Sequence, residues 1–124
     1  MTVRFDHTIV SARDSEASAA FLVDILGLPA PTHVGPFVAV ALDNGATLDF
    51  IDDDETIESR HFAFRVTEAA FDEIFGRIKE RGLSHWADPA RSRPGEIYHH
   101  EGGRGVYFED PSGHFLEVLT RPGP

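Results

Sequence analysis

The sequence predicts an α+β fold of two tandem β-α-β-β-β modules, and three observations predict it. The order of elements read from hydrophobic periodicity, a strand, a helix and then further strands, starts again near residue 58. Fixed spacings recur in both halves: Gly27 follows His7 by 20 residues and Gly82 follows His61 by 21, while Asp49 lies four after Gly45 and Glu117 four after Gly113. The segment 106–120, VYFEDPSGHFLEVLT, parses as a strand, a tight turn and a second strand, because Pro111 presets φ and Gly113 accepts φ > 0. The expectation is a single domain of 124 residues, with module one at about 1–57 and module two at about 58–124. A chain of that length buries roughly two-thirds of its unfolded surface without staples.

Residues 3–10 alternate, with Phe5, His7 and Ile9 on one face of a first strand. Asp14 or Ser15 can cap a helix running to about Leu26, with Ala17, Ala20, Phe21 and Ile25 as its apolar stripe and Gly27 as its stop. The segment 30–36 allows a short extra strand, and 37–42 and 46–51 are strands joined through Asn44 and Gly45. An acidic linker, 52–59, leads to a strand at 60–66. Thr67 and Glu68 then open a helix whose stripe is Phe71, Ile74, Phe75 and Ile78, ended by Arg81 and Gly82. A short strand is expected at 84–87, and 88–105, with two Pro and four Gly, is expected to be a long functional loop.

Composition narrows the chemistry. With no cysteine there is no disulfide, thiolate zinc site or Cys nucleophile, and any metal must use His and carboxylate. A net charge of −10 argues against nucleic acid or an anionic membrane as partner. The N-terminus carries no apolar run of signal-peptide length and no stretch approaches the ~20 residues that span a bilayer, so a soluble, cytoplasmic protein is expected.

In the last strand Phe115, Glu117 and Leu119 share a face, so Glu117 projects among apolar neighbours as either a paired structural charge or a metal ligand. The repeat bears on that choice. Each half carries a His early in its first strand and a carboxylate in its last, and stacked modules would bring His7, Asp49, His61 and Glu117 towards one concavity.

From FDHTIV through FLVDILGL and RHFAFRV to YFEDPSGHFLEV, nearly the whole chain resembles the vicinal oxygen chelate superfamily, which includes glyoxalase I, extradiol dioxygenases, and fosfomycin- and bleomycin-resistance proteins. The resemblance implies half-open curved mixed sheets and a homodimer. By position it implies His7, His61 and Glu117 as metal ligands, with coordination positions left for substrate oxygens. The implied ion is divalent, and Fe(II), Mn(II), Zn(II) and Ni(II) are all admissible for such donors. Asp49 stands where glyoxalase I has a fourth ligand, a Glu, and being one methylene shorter suits a water-mediated role. Tyr107 is similar to the Tyr beside the catecholate of extradiol enzymes, with a core aromatic as its plain alternative. His99 and His100 lie where those enzymes carry a further His, and are either acid/base groups or solvated surface residues.

Arg65 shares a strand face with His61 and either reaches a substrate anion or sits in an ion pair. Phe37, Trp86, Tyr98 and Tyr107 are candidate walls of an aromatic pocket, whereas His114 points away from Glu117 and is left off the metal. His33 and His85 carry no assignment. Two functions compete. One is a metal-dependent enzyme, an extradiol-type dioxygenase or glyoxalase-like lyase acting on a small molecule with vicinal oxygens; the other is a protein that sequesters an antibiotic-like natural product without chemistry. The trio His7, His61 and Glu117 favours the enzyme, because a pure binder has no physical need of it.

Overall fold

The structure is a computed structural model describing residues 2–121. The chain separates into two compact units, Met1–Glu58 and Ser59–Pro124. Each unit is a helix on one face of a mixed sheet, as an α+β fold requires.

In the first unit β1 (His7–Ala12), β2 (Thr32–Val34), β3 (Phe37–Ala41) and β4 (Thr47–Asp52) are ordered β1-β4-β3-β2, with α1 (Ser15–Leu26) connecting β1 to β2. β1 and β4 are parallel and the other pairs antiparallel. Strand β1 starts later than expected. Its first partner is Thr47, opposite His7, and of residues 3–6 Asp6 reaches β4 through its carbonyl oxygen, which accepts Thr47 N–H (2.9 Å). Alternation then decides the faces: Val10, Ala12, Val38, Val40, Leu48 and Phe50 are buried towards α1, while His7, Ile9, Phe37, Ala39 and Asp49 share the open face.

Helix α1 is delimited by local chemistry. Asp14, in extended backbone, accepts the Ala17 N–H (3.1 Å), and Gly27 takes the left-handed conformation (φ 71°) that lets Leu28 N–H return to Val23 O (2.9 Å). Its buried stripe differs from the expected one. Ser15, Ser18, Ala19, Leu22 and Ile25 are buried, whereas Ala17 and Ala20 are exposed. Ala19, Leu22 and the small serines face the sheet, and Ser15 N–H also binds Asp52 (2.8 Å), an interaction that lowers the Asp52 pKa.

In the second unit β5 (His61–Arg65), β6 (His85–Trp86), β8 (Gly103–Glu109) and β9 (Phe115–Leu119) are ordered β5-β9-β8-β6, and β7 (Tyr98–His100) pairs with β8. Helix α2 (Glu68–Glu80) is capped by Thr67 and buries Phe71, Ile74 and Ile78, with Phe75 only half-buried. The expected loop 88–105 is partly structure: Tyr98–His100 forms a hairpin with β8 through Glu101 and Gly102, both at positive φ (49° and 81°), as a two-residue turn of the mirror-image type demands. The remaining loop is ordered by Asp88, which accepts from Ser92 and Arg93 N–H groups (3.2 and 3.0 Å).

The turn 110–113 joins β8 to β9 and also anchors β5. Buried Asp110 accepts the N–H groups of Ser112 (3.0 Å) and His114 (2.8 Å), and buried His114 accepts Arg60 N–H on Nδ1 (3.0 Å). Burial raises the Asp110 pKa against these bonds, so its charged form opposes folding above that pKa. Asp110→Ala should cost about 1–3 kcal/mol, since the buried His114 N–H and the part-buried Ser112 N–H lose their acceptor. Asp110→Asn keeps an acceptor and removes the charge; it should match or exceed the wild type near neutral pH, with the gain vanishing as acid protonates the wild-type Asp110. Denaturation curves against pH check both.

Candidate metal centre

The open face of the second sheet gathers its polar groups around Glu117. On β9 the alternation sends Phe115, Glu117 and Leu119 to this face, and the register sets Ala63 of β5 and Tyr107 of β8 on either side of Glu117. Glu117 is only 8 % exposed. Its Oε2 accepts the Tyr98 hydroxyl, reaching across from β7. Its Oε1 lies 3.1 Å from Nε2 of His61, whose ring is half exposed.

The His61 tautomer follows from its other contact. Nδ1 is 3.0 Å from the Phe115 carbonyl oxygen, which can only accept, so Nδ1 carries a proton. In the neutral ring Nε2 then turns a lone pair towards a carboxylate oxygen. Two acceptors facing each other need a proton or a cation between them. A divalent ion fits the pair, for two neighbouring ligands of one ion at roughly 2.0–2.2 Å stand about 3 Å apart. Imidazole nitrogen and carboxylate oxygen, without sulfur, are donors for a hard or borderline metal.

Aromatic rings tile the face beside this pair. Tyr107 stacks on Phe115 (5.2 Å, 14°) and on His61 (5.9 Å, 28°), Tyr98 leans on Tyr107 (5.8 Å), and Trp86 meets Phe115 (6.1 Å). The Arg91 guanidinium lies 4.3 Å from the Phe115 ring centre and 5.1 Å from Trp86, steadied by Glu109 (2.8 Å). Burial first, then the Glu117 carboxylate, raises the pKa values of Tyr98 and Tyr107, so both phenols remain hydrogen-bond donors at neutral pH.

The other candidates are placed as follows. Arg65 is exposed on the His61 face of β5 and has no ion pair among the described residues. His99 is exposed on the opposite face of β7 from Tyr98; His100 shares the Tyr98 face, pairs with Glu101 (3.7 Å), and lines a shallow hollow of about 220 Å³ with Tyr98, Glu101, Leu119, Thr120 and Arg121. His114 is buried in the turn, His33 bonds Glu16 (2.5 Å), and His85 bonds Leu83 O (3.0 Å). In the first unit, Asp6 holds Nδ1 of His7 (2.7 Å), raising the His7 pKa. Asp49, half-buried on the same face, accepts the Thr47 hydroxyl (2.9 Å), and Phe37 lies on that face too. Among the described residues no three His, Asp or Glu side chains are grouped to hold an ion. No helix among them is long and apolar enough to cross a membrane.

Sequence reasoning missed the parts played by Phe115 and Arg91. Phe115 was legible as the residue two before Glu117 on its face, whereas nothing local marks Arg91.

Comparison with known proteins supplies the family. Residues 4–118 match the model of the Glyoxalase/Bleomycin resistance protein/Dioxygenase superfamily, and the chain belongs to that superfamily. Two solved structures, the oxidases ChaP-H1 and ChaP-H2, are each 58 % identical to it; 98 % of this chain aligns with 98 % and 96 % of theirs, at TM-scores of 0.95 and 0.96. The metallothiol transferase FosB of Shouchella clausii (strain KSM-K16) is 31 % identical over 121 residues, spanning 93 % of this chain and 78 % of its own length.

Proposed function

We propose that this protein is a divalent-metal-dependent oxidase that acts on a small substrate bearing vicinal oxygens. The observation that carries the proposal is the facing pair of acceptors, His61 Nε2 and Glu117 Oε1 at 3.1 Å, beside a tray of stacked rings. The oxidase names of two relatives at 58 % identity favour oxidation over the lyase chemistry of the glyoxalases, and outweigh a transferase at 31 %.

His61 and Glu117 would hold the ion, and the family resemblance proposes His7 as a third donor and Asp49 as a support through water. When bound, the ion would supply Lewis acidity, and as Fe(II) or Mn(II), rather than redox-inert Zn(II), also electron exchange with O2. The chain's own groups do the rest. Tyr98 holds the Glu117 carboxylate, Tyr107 offers a protonated phenol to a substrate oxygen, and Phe115 and Trp86 keep water from the substrate's flank. Arg65 and Arg91 supply positive charge to an anionic substrate, and His100, on the Tyr98 face of the neighbouring strand, is a candidate for proton transfer, whereas His99 faces away from the site. Phe5, Ile9 and Val34 are large apolar side chains left exposed in the first unit, which supports a homodimer in which a second copy covers them. The charge of −10 supports a reading without nucleic-acid or anionic-membrane partners.

The second reading, a sequestering protein, is favoured by the tray alone, since stacked aromatics would hold a planar ligand without any ion. The test is a panel of catechols, 2-oxoaldehyde adducts and polycyclic antibiotics, assayed with Fe(II) and with chelator while following O2 uptake, product and binding. Metal-dependent O2 consumption lost in His61→Ala is the expected result. Tight, chelator-insensitive binding with the ligand recovered unchanged would overturn the oxidase in favour of sequestration.

A further inference from the structure

We infer that Tyr98 is a positioning residue that commits Glu117 to bind the ion through Oε1 alone, and that Gly105 lacks a side chain in order to let it do so. The inference rests on the metal reading above and deepens it. Tyr98 on β7 is not a neighbour of Glu117 in the sheet, because β8 runs between their strands. Adjacent strands are roughly 4.8 Å apart, so a side chain that crosses a whole strand must lie down over its backbone. Gly105 stands directly opposite Tyr98 in the register. A Cβ built on Gly105 would lie 2.2 Å from Cζ, 2.3 Å from Oη and 2.4 Å from Cε2 of Tyr98. The ring therefore occupies the space that any other residue at 105 would fill.

The consequence is chemical. A free carboxylate can meet a metal ion with one oxygen or with both. Here the Tyr98 hydroxyl donates to Oε2, and Oε1 is the oxygen turned to His61. Occupying Oε2 leaves a single metal-facing oxygen and keeps the freed coordination position for a ligand other than Glu117. Groups that orient a ligand in this way affect metal affinity about 10–100-fold.

The experiment uses the whole chain and Co(II), chosen because its visible spectrum reports coordination number. Affinity by chelator competition and the Co(II) spectrum are measured for the wild type, Tyr98→Phe, Gly105→Ala, the double variant and His61→Ala, with thermal denaturation alongside. Tyr98→Phe keeps the ring on Tyr107 and removes only the hydroxyl. It should weaken Co(II) binding by about tenfold or more and lower the visible absorption as Oε2 joins the ion. Gly105→Ala should reproduce that spectral change by displacing the ring, and the double variant should be no worse than the stronger single variant, because both remove one and the same bond. Wild-type affinity and spectrum in Tyr98→Phe would overturn the inference even if Gly105→Ala failed to fold, while His61→Ala still losing the ion would leave the metal site standing. A wild-type protein that takes up no Co(II), or a His61→Ala that binds as well as wild type, would overturn both.

Discussion

Glu117→Gln is expected to reduce divalent-ion affinity by more than about 100-fold, and turnover with it, while leaving the metal-free protein at least as stable as the wild type. The two effects have one cause. Without an ion, the carboxylate is nearly buried and faces His61 Nε2, a conflict of two acceptors unless a proton sits between them. A glutamine in the same place resolves that conflict: its carbonyl oxygen accepts the Tyr98 hydroxyl and its amide N–H donates to His61 Nε2. Every partner is satisfied and no charge is buried, so stability in chelator should hold or rise by up to about 1 kcal/mol. The same change removes the negative charge that would hold the ion. Calorimetric titration with Fe(II) or Mn(II), together with melting curves in chelator, reads both halves. A Gln variant that melts much lower without metal would mean that Glu117 serves as a structural ion-pair partner instead.

Gly103→Ala should be the most damaging single methyl in the second unit. A Cβ there would lie 2.0 Å from the Thr120 carbonyl oxygen, 2.8 Å from its carbon and 3.2 Å from Arg121 Cα. All three are backbone atoms, pinned by Thr120 N–H to Arg104 O (2.8 Å) and Arg104 N–H to Thr120 Oγ1 (3.0 Å), so nothing can rotate away. The edge of β8 must separate from the chain after β9, at a cost of roughly 3–5 kcal/mol, a large share of an ordinary domain's stability. Gly113 is the contrast. It has open space around its Cα, and a substitution there meets only the strain of φ 90°. Chemical denaturation of the two alanine variants should rank Gly103 far below Gly113, and equal midpoints would contradict the steric argument.

The parts of the fold that were legible in the sequence are those specified by local chemistry. Asp14, Gly27 and Thr67 delimit helices because capping needs only the residues within one turn, and Asp110, Pro111 and Gly113 mark a hairpin for the same reason. Polarity misplaced the stripe of α1: serine reads as an outward residue, yet Ser15 and Ser18 are buried where small side chains bring helix and sheet together. Strand β7 was hidden in a segment rich in Gly and Pro, because pairing with β8, and not its own composition, makes it a strand. Repeat positions and resemblance singled out Glu117 and His61 as candidates, and the register of β5 and β9 brings the two side chains together. The Tyr98 bond to Glu117 joins residues 19 apart, and depends on Gly105 lying opposite Tyr98, a fact of register that spacing alone does not contain.

The most direct measurement is elemental analysis of the protein purified without added metal, repeated after chelation and reloading, for the wild type, His61→Ala and Glu117→Gln. The expected result is about one Fe, Mn, Zn or Ni per chain in the wild type, restored on reloading, and close to none in either variant, with all three folded by circular dichroism. A wild type that neither arrives with an ion nor accepts one on reloading, or variants that load as fully as it does, would contradict the metal centre.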